Sequence, residues 1–338
     1  MTHPFLTTAV TKTYGTSIPI IAGGLMWLSD ADYVSAAARA GIMSFITAAS
    51  FPEPDALRAE IRKCRSLCDG AAFGVNVSML PKLVPGEKTA DVFRLIADES
   101  VKFVETSGRN PEEYMPILKD ADITVLHKVP SVRFAVKAQS VGVDMVAIVG
   151  AECGGHPGMD MIGTMVNAAT AAERLTIPYL IGGGIGHGSQ IIAALSMGAS
   201  GVVMGTRFLV AHELNAHADY KARMMEATER DTQLIMQSVR NTVRALANET
   251  TAAVAKMEQD NPKVTISDLL PHISGQHGRA AYATGDTSRG VLSAGHALAF
   301  VDKVEPMVQI IDRLAKEANV ALARLSALQT IAPYQESA

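Results

Sequence analysis

The sequence predicts an α/β fold: a (β/α)8 TIM barrel with a smaller, mainly helical cap domain inserted after strand eight. Three observations predict it. Eight short β-branched or apolar runs alternate with longer amphipathic stretches between residues 19 and 209. Strands spaced in this way must run parallel, because each intervening helix is a crossover. The richest glycine turn follows the seventh run, whereas a doubly wound sheet carries a G-x-G-x-x-G turn after its first strand. At 338 residues and 48% hydrophobic composition, the chain can bury a large core and exceeds the usual single-domain size.

The strand runs are 19–24, 43–47, 73–77, 103–106, 124–129, 145–150, 179–184 and 201–209. The intervening helices are expected over 30–40, 54–67, 89–101, 111–120, 131–141, 163–175 and 188–197. Asp30 after Ser29 starts the first helix, Pro54 and Pro111 occupy first-turn positions, and Ser131 after Pro130 is read as a cap. Gly41, Gly142 and Gly198 each stop a helix ahead of a strand. Beyond 209 the rhythm changes. Helices are expected over 218–228 and 238–259, followed by a polar, glycine-containing segment around 274–295. A final amphipathic helix over 304–328 supplies the eighth barrel helix. The barrel then comprises 1–211 and 297–338, and 212–296 is the cap over its mouth.

Thirty basic against 34 acidic side chains leave a net charge of −4, which argues against a nucleic-acid binder working by charge. No membrane partner is expected, because the most apolar stretch, 191–204, is short and interrupted by Ser196, Gly198, Ser200 and Gly201. The N-terminus shows no basic region followed by an apolar core, so no signal peptide is visible. Three cysteines cannot all pair internally, and Cys64 and Cys68 read as small buried hydrophobes on one helix face. These features fit a reducing cytoplasm. The spacings of His127, His187, His212 and His217 do not put two on one helix face with a carboxylate, so no metal is assigned.

Barrel active sites lie at the C-terminal ends of the strands. The first strand exits through Ala22, Gly23, Gly24, Leu25, Met26 and Trp27, and the third through Asn76. The fifth exits through His127 and Lys128. The sixth exits through Gly150, Ala151, Glu152, Cys153, Gly154, Gly155, His156, Pro157 and Gly158. The seventh carries Gly182, Gly183 and Gly184, and the eighth Met204, Gly205 and Thr206. Glycine runs let backbone amides approach an anion, and exits seven and eight are the common phosphate site of such barrels. Gly183, Gly184, Gly205 and Thr206 are therefore phosphate candidates, although glycines can also simply permit tight turns. His156, flanked by small residues, can exchange a proton near neutral pH and is the catalytic candidate. Lys128 can face a developing negative charge, and Asn76 offers both donor and acceptor. Glu152 reads as a rim salt-bridge partner.

These exits resemble the motif set of the 2-nitropropane dioxygenase-like FMN enzymes. That group contains nitronate monooxygenases, flavin NADH:quinone reductases and flavin-type enoyl-carrier-protein reductases. The matching pieces are Pro-Ile-Ile-Ala-Gly-Gly at 19–24, Gly-Val-Asn at 74–76 and Ala-Glu-Cys-Gly-Gly-His-Pro-Gly at 151–158. Ile-Gly-Gly-Gly-Ile at 181–185 and Met-Gly-Thr-Arg-Phe-Leu at 204–209 complete the set. Segments 127–133, 238–242 and 274–279 are most similar to the NADH:quinone reductase branch. The resemblance implies FMN at the barrel mouth, beside Ala22, Gly23, Gly24, Leu25, Asn76, Lys128, Ala151, Gly154, Gly155, Gly182, Gly183, Gly184, Met204, Gly205, Thr206 and Gln276. It places His156 at the reactive face and implies NADH or NADPH as a transient electron donor. The implied partner is a small molecule such as a quinone or a nitronate, and a homo-oligomer is left open. Departures occur at Ala22, where the group often has Gln, at His187-Gly188, where it often has Asp-Gly, and around Pro81. The expected activity is NAD(P)H:quinone reductase-type electron transfer. Nitronate oxidation and enoyl-thioester reduction are the alternatives within the group. A phosphate-binding isomerase, aldolase or ligand-sensing barrel is the alternative outside it.

Overall fold

A computed structural model of the chain describes residues 6–79 and 88–328. Eight parallel strands close into a barrel in the order β1 to β8, with β1 hydrogen-bonded to both β2 and β8. The order along the chain is α1 (Ala9–Tyr14), β1 (Ile20–Ala22), α2 (Ala31–Arg39), β2 (Met43–Thr47), α3 (Pro54–Cys68), β3 (Gly74–Met79) and α4 (Thr89–Asp98). Then come β4 (Phe103–Gly108), α5 (Met115–Asp120), β5 (Thr124–Val129), α6 (Val132–Ser140), β6 (Met145–Val149), α7 (Thr164–Arg174), β7 (Tyr179–Gly182), α8 (Gly188–Ser196) and β8 (Gly201–Met204). The fold is a (β/α)8 TIM barrel, as the sequence predicts.

Strand alternation divides the barrel core in two. Ile21, Met43, Phe45, Leu126, Met145, Ala147, Leu180 and Val203 form one buried cluster, which fills the interior. Helix α1 was not foreseen. Its Val10 and Tyr14 join this interior cluster, and the Tyr14 ring meets Phe103 edge-on at 4.9 Å. Ile20, Ile46, Val75, Val104, Val125, Val146, Ile181 and Val202 belong to the second cluster, with the helices. Each large side chain so buried is worth about 1.5–3 kcal/mol. Gly74 is obligatory here, since a Cβ on it would lie 2.5 Å from both the Phe45 ring and the Phe103 carbonyl.

The expected helix signals hold at most positions. Asp30 accepts from the Tyr33 amide, Pro54 opens α3, and Gly41, Gly142 and Gly198 all adopt left-handed φ. Cys64 and Cys68 are buried on one face of α3, 3.7 Å apart at sulfur. Ser131 departs from expectation: it stands at the N-cap of α6, but its hydroxyl makes no capping bond. The helix expected over 111–120 is a 3-10 turn, Pro111–Tyr114, leading into α5. Here Pro116 sits in the first turn of α5, and its missing N–H breaks the ladder between the two pieces.

After β8 the chain departs further from expectation. The eighth strand ends at Met204, because Gly205 leaves the extended region and Thr206–Phe208 coil into a 3-10 turn. Helix α9 (Ala218–Glu226) follows. The helix expected over 238–259 does not form as one element. Residues 243–246 form strand β10 (Val243–Leu246), antiparallel to β9 (Thr232–Ile235), and only α10 (Glu249–Asp260) is helical. Met236 and Arg240 adopt positive φ, which interrupts any helix and turns the hairpin. Asn248 then caps α10. Helix α11 (Ile266–Ile273) precedes the segment read as polar, and α12 (Gly275–Thr284) occupies the first part of it, with Thr265 and Ser274 as their caps. The segment between β8 and the final helix is thus helices plus a two-stranded sheet, with its own cluster of Ile235, Val243, Ala245, Val254 and Leu269. The last helix, α13 (Met307–Leu328), begins three residues later than expected. It packs on α8 and α2, which is the eighth helical position of the barrel. Among the described residues no helix is long and apolar enough to cross a membrane. Pro81 lies outside the described residues.

Candidate active site

Three neighbouring strands bring Asn76, Glu105 and Lys128 together at the mouth. The register pairs Asn76 with Glu105 on β3 and β4, and Lys128 lies two residues beyond Leu126, which pairs with Glu105. Glu105 is fully buried, and its Oε2 accepts from Asn76 Nδ2 at 2.5 Å and from Lys128 Nζ at 3.0 Å. Its Oε1 is buried and makes no hydrogen bond to the protein. Two expected site residues, Asn76 and Lys128, therefore share one carboxylate that the sequence reading missed. The signal was present: a lone carboxylate within Phe103-Val104-Glu105-Thr106, on the strand between those of Asn76 and Lys128. His127, next in line, is buried on the other side of β5 and bonds Thr106 Oγ1 through Nδ1 at 2.8 Å. Burial, with the nearby Lys128 charge, pushes its pKa down to about 4.

The β1 exit crosses the same mouth. A Cβ on Gly24 would lie 3.1 Å from Asn76 Cβ and 3.2 Å from Thr47 Oγ1, so a side chain here would have to push both neighbours aside. The Gly23 amide donates to the Met204 carbonyl at 2.8 Å, and Leu25 packs near Gly205. Ala22 and Met204 have their side chains in the helix-facing core, so they can meet a mouth ligand only through backbone. Gly182, Gly183 and Gly184 leave β7 beside Thr164 and Glu152. Gly183 has φ +108, and a Cβ there would lie 2.7 Å from Thr164 Oγ1. Glu152 forms no ion pair among the described residues, in contrast to the expected rim salt bridge. Its carboxylate accepts from the Thr164 amide at 3.0 Å and the Thr164 hydroxyl at 2.8 Å, the placement favoured at a helix N-terminus. His187 caps α8 through Nδ1, taking the role an Asp would have there, and His217 caps α9 similarly.

His156 sits on a clamped loop. Gly155 exchanges backbone hydrogen bonds with Arg244 of β10, at 2.9 and 2.7 Å. The Arg244 side chain donates to the Ala151 carbonyl at 3.0 and 3.2 Å. Gly154 passes so close to the Ala294 backbone that a Cβ would come within 2.7 Å. The Gly295 amide donates to Thr206 Oγ1 at 3.0 Å, which leaves the Thr206 hydroxyl proton free to donate elsewhere. Cys153 is buried in this loop, which pushes its thiol up to about 12 and keeps it protonated. His156 itself reaches solvent, yet crowding within the concave mouth and then the Lys128 charge lower its pKa. It is a neutral imidazole at pH 7, able to donate one hydrogen bond and a weaker base than a free histidine. Gln276 is exposed in the first turn of α12. Its neighbour Gly275 approaches Trp27 of the β1 exit, and Arg279 stacks over the Trp27 ring at 5.1 Å.

The family model for nitronate monooxygenase matches residues 7–94 and 86–317. The chain belongs to the nitronate monooxygenase family. Members of this family are flavin-dependent oxidoreductases. Among curated relatives, a probable nitronate monooxygenase from Staphylococcus saprophyticus is 26% identical over 94% of this chain and 99% of its own length. A (3aS,4S,5R,7aS)-5-hydroxy-7a-methyl-1-oxo-octahydro-1H-indene-4-carboxyl-CoA dehydrogenase from Rhodococcus jostii is 25% identical over 96% and 99%. Among solved structures, FabK from Thermotoga maritima superposes with a TM-score of 0.86 at 28% identity, covering 96% of this chain and 99% of that one. The nitroalkane oxidase of Streptomyces ansochromogenes shares the fold, with a TM-score of 0.77 at 23% identity, covering 92% and 98%.

The residues present fit a flavin mononucleotide. The amides of Gly184, Gly205 and Thr206 have no backbone acceptor among the described residues, and they leave the two strand exits where barrels hold phosphate. The orphaned Oε1 of Glu105 is an acceptor in search of an N–H or O–H donor. Gly24 leaves a surface free of side chain beside Asn76, over which a flat ring can lie.

Proposed function

We propose that this chain binds FMN and works as an NAD(P)H:quinone reductase-type oxidoreductase. A hydride and a proton pass from NAD(P)H and solvent to the acceptor, giving NAD(P)+ and a hydroquinone. FMN, when bound, supplies the acceptor and donor of that hydride. The chain's own residues position and polarise. Amides at 183–184 and 205–206, with the Thr206 hydroxyl, would hold the phosphate. Lys128 would face the negative charge that reduction places on the ring system.

One observation carries the reading: His156 is a neutral donor at an exposed mouth whose carboxylates are already committed. Glu105 is tied to Asn76 and Lys128, and Glu152 to Thr164. The Lys128 cation on Glu105 and the α7 N-terminus on Glu152 hold both carboxylates as weak bases, and burial lowers the basicity of His156. Orienting a quinone or carbonyl oxygen asks only for its N–H.

A second reading, reduction of an enoyl thioester, is favoured by the similarity to FabK and to the CoA dehydrogenase relatives. It uses the same donor role for His156. Anaerobic mixing of the oxidised, FMN-loaded protein with NADH, NADPH and an alkyl nitronate tests both. Bleaching by a nicotinamide, followed by reoxidation with a quinone, is expected. Reoxidation by an enoyl thioester alone would move the assignment to the second reading. Bleaching by the nitronate alone would remove both, and protein that neither carries nor takes up FMN would remove the flavin.

A further inference from the structure

We propose that the cleft between α6 and α7, on the outer side of the His156 loop, binds a ribose phosphate carried by the electron donor or by the acceptor. The inference rests on the redox reading only for the choice of carriers. The cleft has a volume of about 200 Å³, room for several water molecules and hence for a phosphate. Its lining is built for an anion. Ser131 stands at the N-cap of the nine-residue α6, and its hydroxyl, although buried, has no partner. The first-turn amides of α6 and that hydroxyl are therefore donors without acceptors, at the positive end of the helix dipole. Arg133 and Arg174 line the same cleft. Neither forms an ion pair among the described residues, and Arg133 rests on the Phe134 ring at 4.5 Å. Guanidinium forks match phosphate oxygens in pairs.

Asp160 narrows the class. It lines the cleft and has no hydrogen-bond or ion-pair partner among the described residues. A bare anion would meet its repulsion. A sugar phosphate satisfies both kinds of group, with phosphate on the arginines and helix end and a ribose hydroxyl donating to the carboxylate. The position suits a substrate with a long polar tail. Ser131 lies three residues after Lys128, and a Cβ on Gly158 would sit 2.6 Å from Pro130, so cleft and His156 loop share a wall. Exposed Val166 on α7 adds an apolar edge on which a base can rest.

Two carriers have this chemistry: the adenosine half of NAD(P)H and the adenosine bisphosphate of a CoA thioester. Calorimetric titration of the purified full chain with ADP, adenosine 2′,5′-bisphosphate and adenosine 3′,5′-bisphosphate separates them. One of these probes is expected to bind. Arg133→Gln and Arg174→Gln should each weaken it roughly tenfold, and Asp160→Asn should weaken it while tightening inorganic phosphate. Preference for the 3′,5′ isomer assigns the cleft to a CoA thioester, and preference for either other probe to a dinucleotide. Failure of all three to bind at millimolar concentration, or binding unchanged in both arginine variants, overturns the proposal. The titration needs no turnover. A protein that is inert with every redox pair, yet binds the nucleotide through Arg133, keeps the cleft and refutes only the redox reading.

Discussion

Two histidines on the same barrel show how environment divides one residue type. His156 was legible in the sequence, because Gly154, Gly155, Pro157 and Gly158 leave its ring accessible. His127 reads equally well as a mouth residue, but strand alternation turns it into the helix-facing layer against Thr106. For His156 we expect His156→Asn to keep much of any quinone turnover, because a donor remains. His156→Ala should weaken turnover by about 1–3 kcal/mol in kcat/KM while FMN stays bound. Steady-state kinetics of both variants would expose a loop residue without a role if alanine matched the parent. For His127 the prediction concerns stability. Its pKa is about 4 in the folded chain and 6.5 when free, so between these values the unfolded state binds more protons. Stability is then complete above pH 6.5 and falls as pH drops toward 4. Its contribution shrinks by about 2 kcal/mol between pH 7 and pH 5. Urea unfolding at the two pH values should show this loss in the parent and a smaller one in His127→Asn. Equal losses would mean that another group controls acid sensitivity.

At the scale of elements, the eight strands were legible because apolar runs, glycine stops and turn residues agree with one another. Residues 238–259 were not, because Val239, Val243, Leu246 and Val254 fit a helical stripe as well as a hairpin. Pairing with β9 across the intervening turn decides between them, and β9 lies outside the 238–259 window that reads as a helical stripe. Glu105 was missed for a related reason: its meaning depends on Asn76 and Lys128 arriving on the strands either side. This three-strand charge cluster makes a sharp prediction. Lys128→Met leaves Glu105 buried without its cation, and should destabilise the fold by about 2–4 kcal/mol, discounted because Lys128 keeps partial contact with solvent. Adding Glu105→Gln should restore most of that loss, since the amide can still accept from Asn76 without carrying charge. Urea midpoints of the two single variants and the double variant measure the coupling. Additive losses would show that Lys128 and Glu105 act independently and that the pairing at 3.0 Å does not hold in solution.

At the scale of the molecule, the segment between β8 and α13 is both separate and tied down. Ile235, Val243, Val254 and Leu269 form a cluster of their own, whereas Leu214, Tyr220, Met224, Leu246, Ala281 and Leu292 pack into the larger cluster of the barrel, so only the part around β9, β10, α10 and α11 can loosen without disturbing the barrel core. Around the His156 loop, polar ties add to that packing. Arg244 bonds the Ala151 carbonyl, Gly155 pairs with Arg244, the His296 amide donates to the Glu152 carbonyl, and Gly295 donates to Thr206. Three of these ties end on residues expected at the cofactor: Ala151, Gly155 and Thr206. A ligand that orders those exits stabilises the closed arrangement by its preferential binding to it. We therefore expect residues 212–296 to act as a cap whose opening is coupled to occupancy of the mouth. Limited proteolysis should cut first in this segment, and saturating FMN should slow that cut while leaving the barrel pattern unchanged. Arg244→Met should accelerate the cut in the absence of FMN, because it removes the side-chain tie and keeps the backbone pairing. If FMN protects the barrel and this segment equally, or if Arg244→Met cuts at the parental rate, the segment is an integral part of the barrel fold and closes nothing.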